Sequence, residues 1–310
     1  MLTVIGEALV DVVHSGAGTS SHVGGSPLNV AVGLARLDHP VQFLGRYGHD
    51  EYGDAIAAHL RASSVMVPLP PDELPSSIAT ATLDENGAAS YDFDLVWQLP
   101  GLVDRLPMVL QGGTLLHTGS IATVLEPGAV DVLAAVEHAR PGVTISFDPN
   151  CRPSLTPDVD AVRTQVERFV VLADVVKASD EDLEWLYPGV DVKDSARRWL
   201  SLGGENGPAF VVVTRGADGP WGVAAAGEVE VPAPRVDVVD TVGAGDSFMA
   251  ALLSGVVDAG YDGVLHRERL HRITLEELTS LLAASARAAA ITVSRAGANP
   301  PSRKELAARA

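Results

Sequence analysis

The chain has 310 residues, 46% of them hydrophobic and 20% charged, and carries a formal net charge of −18. That length and core capacity fit one large α/β domain with a small insertion. The charge argues against nucleic acid and anionic membranes as partners, no apolar run reaches the ~20 residues of a membrane span, and the single cysteine, Cys151, excludes an internal disulfide and fits a reducing cytoplasm.

Met1-Leu2-Thr3-Val4-Ile5-Gly6 carries no basic region and reads as a first strand over Leu2–Gly6 rather than a signal peptide. Residues 8–24 are extended and Gly-rich. Ser26-Pro27 opens a helix, as a cap followed by Pro at the first helical position. Further strands are expected at Val41–Gly45, Thr114–Thr118, Val143–Asp148, Val175–Ala178 and Phe210–Thr214, with Asp50 and Pro127 opening two more helices. The strands are continuous apolar runs, as in strands covered on both faces. Residues 78–94 form a hairpin about Asn86-Gly87, and a second hairpin spans 220–231. The basic cluster at 266–272 is broken by Glu268 and Leu270 and reads as a solvated helix face. A long Ala-rich helix covers 279–294 and ends before Gly297. Alternating strands and helices predict a doubly wound, mostly parallel sheet flanked by helices. Segments 8–24 and 78–97 add a small β-sheet that stands off it as a lid.

The most specific segment is Asp240-Thr241-Val242-Gly243-Ala244-Gly245-Asp246, which runs straight into an apolar helix. Small residues before a helix N-terminus leave backbone N–H groups open to an anion. Asp246 puts a carboxylate in that place. It either caps the helix or serves as a general base beside an anion hole, the pairing that phosphoryl transfer to a hydroxyl needs.

Other polar groups fall at strand ends, where ligands of this fold class bind. Asp11 follows the first strand. Gly24-Gly25 precede a helix whose first turn carries Asn29, with a donor and an acceptor for a polyol. Asp148-Pro149-Asn150-Cys151-Arg152 ends a strand; Arg152 either pairs with Asp148 or meets a phosphate or carboxylate. Lys177-Ala178-Ser179-Asp180-Glu181-Asp182 ends another, and Ser179 with Asp182 has capping-box spacing. Thr214-Arg215-Gly216-Ala217-Asp218-Gly219 is a strand-to-turn segment, and Arg295-Ala296-Gly297-Ala298 ends the long helix. No Gly-x-x-x-x-Gly-Lys-Ser/Thr loop, protein-kinase signature, dinucleotide fingerprint or Cys/His metal spacing occurs.

In this order the segments resemble the ribokinase-like (PfkB-type) carbohydrate kinases over nearly the whole chain. Gly24-Gly25 through Asn29 looks like the family's N-terminal signature, and Asp240–Asp246 like its C-terminal one. The resemblance implies Asp246 as catalytic base and the amides of Gly243, Ala244 and Gly245 as the anion hole for the γ-phosphate of ATP. It implies Asp11, Gly24, Gly25 and Asn29 at the sugar, with Tyr91 and Arg152 as further contacts. Lys177, Ser179, Thr214, Gly216 and Gly219 would lie towards the ATP phosphates, and Gly297 and Ala298 towards the adenine. Asp240, Val242, Ser294 and Gly297 would surround a monovalent cation such as K⁺. Mg²⁺ would arrive with ATP, and Asp182 would touch its water. Here the chain departs from the family, which commonly has Asn-x-x-Glu where Ser179 and Asp182 stand.

Within the family the Gly6–Asp11, Gly24–Asn29 and Asp148–Pro153 stretches look most like fructokinases. 2-Keto-3-deoxygluconate kinase ranks second, ribokinase or nucleoside kinase third, and a catalytically silent sugar-binding regulatory protein is the alternative of another class. A homodimer through the exposed lid edges is also expected.

Overall fold

The computed structural model describes residues 1–15, 18–83 and 89–308. The Asn86-Gly87 turn and the Tyr91 side chain lie outside the described parts. In chain order the elements are β1 (Leu2–Ile5), β2 (Leu9–Ser15), β3 (Gly18–Gly24), α1 (Ser26–Arg36), β4 (Val41–Leu44), α2 (Glu51–Ala62), β5 (Ser77–Leu83), β6 (Ala89–Asp94), α3 (Leu102–Val109), β7 (Leu115–Gly119), α4 (Gly128–Ala139) and β8 (Thr144–Asp148). They continue with α5 (Val159–Leu172), β9 (Val175–Ser179), α6 (Asp180–Leu186), α7 (Val192–Ser201), β10 (Phe210–Thr214), β11 (Trp221–Ala224), β12 (Gly227–Glu230), α8 (Ala244–Asp258), α9 (Arg267–Leu270), α10 (Leu275–Val293) and α11 (Arg303–Ala307).

The main sheet has eight strands in the order β12-β11-β10-β9-β8-β7-β1-β4. All neighbours from β4 to β10 pair in parallel, while β11 and β12 add an antiparallel hairpin. β1, β4, β7 and β8 are buried along their whole length, which is why they read as unbroken apolar runs. One face packs Leu28, Leu34, Phe210, Met249, Leu252 and Leu282 with α1, α8 and α10. The other packs Phe147, Phe169, Leu186, Trp199 and Val211 with α5, α6 and α7. The chain leaves β1 towards β4 on one side, and β7 lies on the other. This reversal opens a crevice at the C-terminal edge of the sheet, the usual ligand position in such folds.

The second sheet has four strands, β3-β2-β5-β6. β2 and β5 run parallel, and the outer pairs are antiparallel. One buried arginine ties its stems to the main body. Arg46, just past β4, grips both carboxylate oxygens of Asp72 and donates to the carbonyls of Leu74, Pro75 and Val96. Ser77 adds a hydroxyl bond to the Val96 carbonyl. Both stems of the small sheet are thereby fixed at one point.

Two boundaries differ from the sequence reading. The Ala-rich helix begins at Leu275, four residues before the expected 279, because Thr274 and Glu277 form a capping box. Gly25, not Ser26, is the N-cap of α1. The Ser26 hydroxyl goes elsewhere.

Candidate active site

α8 starts from Gly243, which holds the left-handed N-cap position with φ 72° and makes no side-chain cap bond. A β-carbon at Gly243 would sit 2.6 Å from the Cβ of Ala298, so only glycine fits. Asp246 is therefore the third residue of the helix and does not cap it. Its Oδ1 accepts from the Ser26 hydroxyl at 2.6 Å and its Oδ2 from the Asn29 amide at 2.8 Å. The carboxylate is buried, which pushes its pKa up; the bonds from Ser26 and Asn29 and the charges of Lys177 and Arg152 offset only part of that. A carboxylate held in this way is a stronger base than one in water.

The approach of α1 to α8 makes those two bonds feasible. One turn beyond Asn29 is Gly33, and one turn beyond Asp246 is Ala250. A β-carbon on Gly33 would lie 2.6 Å from the Cβ of Ala250. Any other residue would push the helices apart and draw Asn29 away from Asp246.

The backbone at the start of α8 is only partly free. The amide of Ala244 donates to Thr241 O at 3.2 Å, whereas those of Gly243, Gly245 and Asp246 have no acceptor among the described residues. These three, more than Ala244, are the donors left for an anion.

Asp11 lies on β2, opposite His22 on β3. Its Oδ2 is 2.6 Å from where a β-carbon of Gly24 would be, so Gly24 makes room for the carboxylate. Gly25 has φ 111° and packs against the Glu7 carbonyl. Glu7 itself escaped the sequence reading. It is buried just past β1, accepts from the Ala122 amide at 3.3 Å, and burial lifts its pKa to about 7.

The strand ends β8 and β9 depart from expectation. Asp148 does not pair with Arg152. It pairs with Lys177, Nζ to Oδ2 at 2.6 Å, with both side chains buried. The parallel register sets these positions opposite each other, whereas Arg152 turns back on Asn150 and Cys151. Ser179 and Asp182 form the expected capping box, and the second Asp182 oxygen accepts from the Cys151 amide at 2.7 Å. Asp182 is thus committed to backbone N–H groups.

Beside the start of α8 lies a cavity of about 530 Å³, lined by Thr214, Gly216 and Gly219 on one side and by Ala244, Gly245 and Phe248 on the other. The segment 233–238, unremarked in the sequence, forms another wall and brings in Arg235. Lys177, Ser179, Gly297 and Ala298 do not line the cavity. Gly297 instead donates its amide to Asp240 Oδ2 at 2.8 Å, while Asp240 Oδ1 accepts from Val242 at 3.0 Å. Asp240 thereby clips two loops together, and those bonds hold its pKa down. Ser294 spends its hydroxyl on the Ile291 carbonyl.

This arrangement can hold a polyanion at a helix start beside a buried base. Comparison with known proteins shows the family. The pfkB family carbohydrate kinase pattern matches residues 1–305. The chain belongs to this family. Among curated relatives, a fructokinase of Rhizobium leguminosarum bv. trifolii is 34% identical over 264 residues, covering 83% of this chain and 79% of the relative. Among solved structures, a fructokinase of Xylella fastidiosa with bound ATP superposes with a TM-score of 0.86 at 26% identity, covering 99% of this chain and 98% of that one. A double-mutant fructokinase from Vibrio cholerae O395, in fructose, ADP and potassium ion bound form, gives 0.79 at 26% identity, covering 99% and 97%. The expected family, the mostly parallel sheet and the carbohydrate kinase activity are all borne out.

Proposed function

We propose that this pfkB-family kinase transfers the γ-phosphoryl group of ATP to fructose, giving fructose 6-phosphate. The observation that carries the reading is the buried Asp246 carboxylate, held by Ser26 and Asn29 next in sequence to Gly245, which lines the cavity, and beside free helix-start amides. The fructokinase relatives support fructose over ketodeoxygluconate, ribose or a nucleoside.

In this mechanism the sugar lies between Asp11, Asn29 and Asp246, with the small sheet as its lid. Asp246 takes the hydroxyl proton. The sugar oxygen forms a bond to the γ-phosphorus as the bond to the β,γ-bridging oxygen breaks, and ADP leaves with that electron pair. The amides of Gly243, Gly245 and Asp246 receive the charge of the moving phosphoryl group. Thr214, Gly216 and Gly219 face the nucleotide. Lid closure excludes water that would otherwise accept the phosphoryl group.

Magnesium would neutralise phosphate charge on the bound nucleotide. No three His, Cys, Asp or Glu side chains among the described residues group into a metal cage, so it would enter on the phosphates rather than on Asp182. A monovalent cation would sit apart from it, at the loops that Asp240 joins. Asp240, whose bonds from two loops hold its pKa down, would be its charged ligand, with the carbonyls around Val242, Ser294 and Gly297 as the neutral ones.

The test is ADP release over fructose, ketodeoxygluconate, ribose and adenosine, in K⁺ and in Na⁺. Fructose should give the highest kcat/KM, and K⁺ should raise it in the native protein but not in Asp240→Asn. A higher kcat/KM with another acceptor would replace fructose.

A further inference from the structure

His22 on β3 has no part in the mechanism above. In the antiparallel β2–β3 pairing it stands directly opposite Asp11. The two side chains therefore share one face of the small sheet, with their Cβ atoms about 5 Å apart. The alternate positions fix which face that is. Val10 and Val12 on β2 and Val23 on β3 pack into the core, so Asp11 and His22 point the other way, over the crevice. Electrostatics agrees. Burial raises the Asp11 pKa, and His22 and then Arg152 pull it back. On the main body, the Val242 and Gly297 amides hold the Asp240 pKa down, and His22 adds to that from across the crevice. One imidazole is thus in electrostatic range of Asp11 on the small sheet and of the loop that leads into α8. Yet it is exposed, and its ring makes no hydrogen bond or ion pair among the described residues.

We propose that His22 is a specificity-determining residue of the acceptor site, donating a ring N–H to the sugar hydroxyl whose proton goes to Asp11. The inference rests on the kinase reading above. The family resemblance places Asp11 at the sugar, but no residue of β3 before Gly24. A sugar hydroxyl both donates and accepts, whereas an ionised carboxylate only accepts. Asp11 alone therefore satisfies half of the hydroxyl it binds. The other cross-strand neighbour of Asp11 is Ala79 on β5, which has no polar group to supply the rest. His22 does, because an imidazole keeps an N–H donor in either charge state. With the small sheet closed over the crevice, an acceptor lacking that hydroxyl would leave both Asp11 and His22 without a partner. Such a pair rejects the incomplete sugar more strongly than an apolar wall can.

Wild type, His22→Ala and His22→Gln, each assayed with fructose and with 1-, 3- and 4-deoxyfructose, test this. His22→Ala should raise KM for fructose about three- to tenfold, the effect of one hydrogen bond, and leave kcat within about threefold. In wild type, one of the deoxy sugars should show a KM well above that of fructose. In His22→Ala that penalty should shrink by the factor that fructose lost, because no donor is then left unpartnered, while the penalties of the other deoxy sugars stay. His22→Gln returns an N–H donor and should bring KM for fructose back to within about twofold of wild type. A fructose KM in His22→Ala within about twofold of wild type would overturn the proposal. A raised KM with every deoxy penalty as in wild type would overturn it equally, since that marks a lid that closes less well and not a lost hydrogen bond. The wild-type rate on fructose tests the kinase reading, and the ratio of variant to wild type tests His22.

Discussion

Replacing Glu7 with Gln isolates the cost of a buried carboxylate at the edge of this site. Glu7 is almost wholly buried, and burial lifts its pKa from 4.5 to about 7 against the opposing effects of Ser120, Arg152 and the Ala122 amide. In the unfolded chain Glu7 ionises near its ordinary value, while in the folded protein it keeps its proton until near neutrality. Its contribution to stability is therefore full below pH 4.5 and is lost as pH rises from 4.5 through about 7. Each tenfold change in proton affinity is worth ~1.4 kcal/mol, so the ionised residue costs the fold roughly 3 kcal/mol at pH 8. Gln cannot ionise and keeps an acceptor for the Ala122 amide. The variant should match wild type at pH 4.5 and exceed it at pH 8 by up to ~3 kcal/mol, or roughly 5 °C in midpoint for a chain of this length. Urea titrations followed by tryptophan fluorescence at the two pH values measure this directly. Asp148, whose pKa is lifted to about 6, also titrates in this window, but it is present in both proteins and cancels in the difference. An equal offset at both pH values, or a variant weaker at pH 8, would refute the account of Glu7 as a buried acid held partly protonated.

The remaining expectations concern the base and the packing around it. Asp246→Asn should lower kcat by about 10²–10⁴ while calorimetry still shows fructose and nucleotide binding; wild-type-like turnover would make Asp246 structural. Because burial raises the Asp246 pKa and the ionised form is the active base, the acid limb of kcat/KM against pH should fall above the usual carboxylate range; a limb at or below it would contradict the assignment. Gly33→Leu should cost about 1–3 kcal/mol by overpacking against Ala250 and should also reduce kcat, since it parts Asn29 from Asp246; loss of stability with kcat unchanged would separate the two effects. Arg46→Ala removes the clamp on Asp72, Leu74, Pro75 and Val96 and should cost about 3 kcal/mol in urea titration, with a raised KM for fructose as the small sheet loses its anchor; an unchanged KM would show that the clamp does not govern the sugar site.

Much of this architecture is visible in one sequence because burial on both faces leaves a strong signal. Phe210–Thr214 has the same bounds in both readings, and the other main strands agree to within a residue at either end. The helix starts are marked by Asp50 and the Ser179–Asp182 box. The missed start of α10 was legible, since Thr274 and Glu277 have capping-box spacing. The site divides differently. Gly243, Gly245 and Asp246 sit in one short segment and could be read together. Ser26 was read as a local cap because Ser before Pro fits one; that its hydroxyl serves a carboxylate 220 residues away is a matter of helix packing. The Asp148–Lys177 pair depends on strand register. Aligning the C-terminal ends of β8 and β9 would put Asp148 opposite Ser179; only the observed register, with Phe147 beside Val176, brings it to Lys177, and that stagger leaves no mark in the sequence. Arg46 offered none, because all five of its acceptor contacts are to residues in stems of irregular backbone at 72–75 or to a carbonyl at 96.

The strong negative charge of the chain takes on a local meaning here. Glu7, Asp148 and Asp246 are all buried near the C-terminal edge of the sheet, and burial raises the pKa of each. Lys177 and Arg152 act on this group as its cations, the first buried and the second exposed. Such crowding is unfavourable for folding, because each carboxylate resists ionisation in a dry site. The large apolar layers on both sheet faces offset it. The same unfavourable terms are what a kinase requires of these groups. An acid that ionises reluctantly is a base that takes up a proton readily, and a lysine among carboxylates retains its charge. Local consistency of sequence and fold breaks down at this one edge, and it does so where phosphoryl transfer would occur.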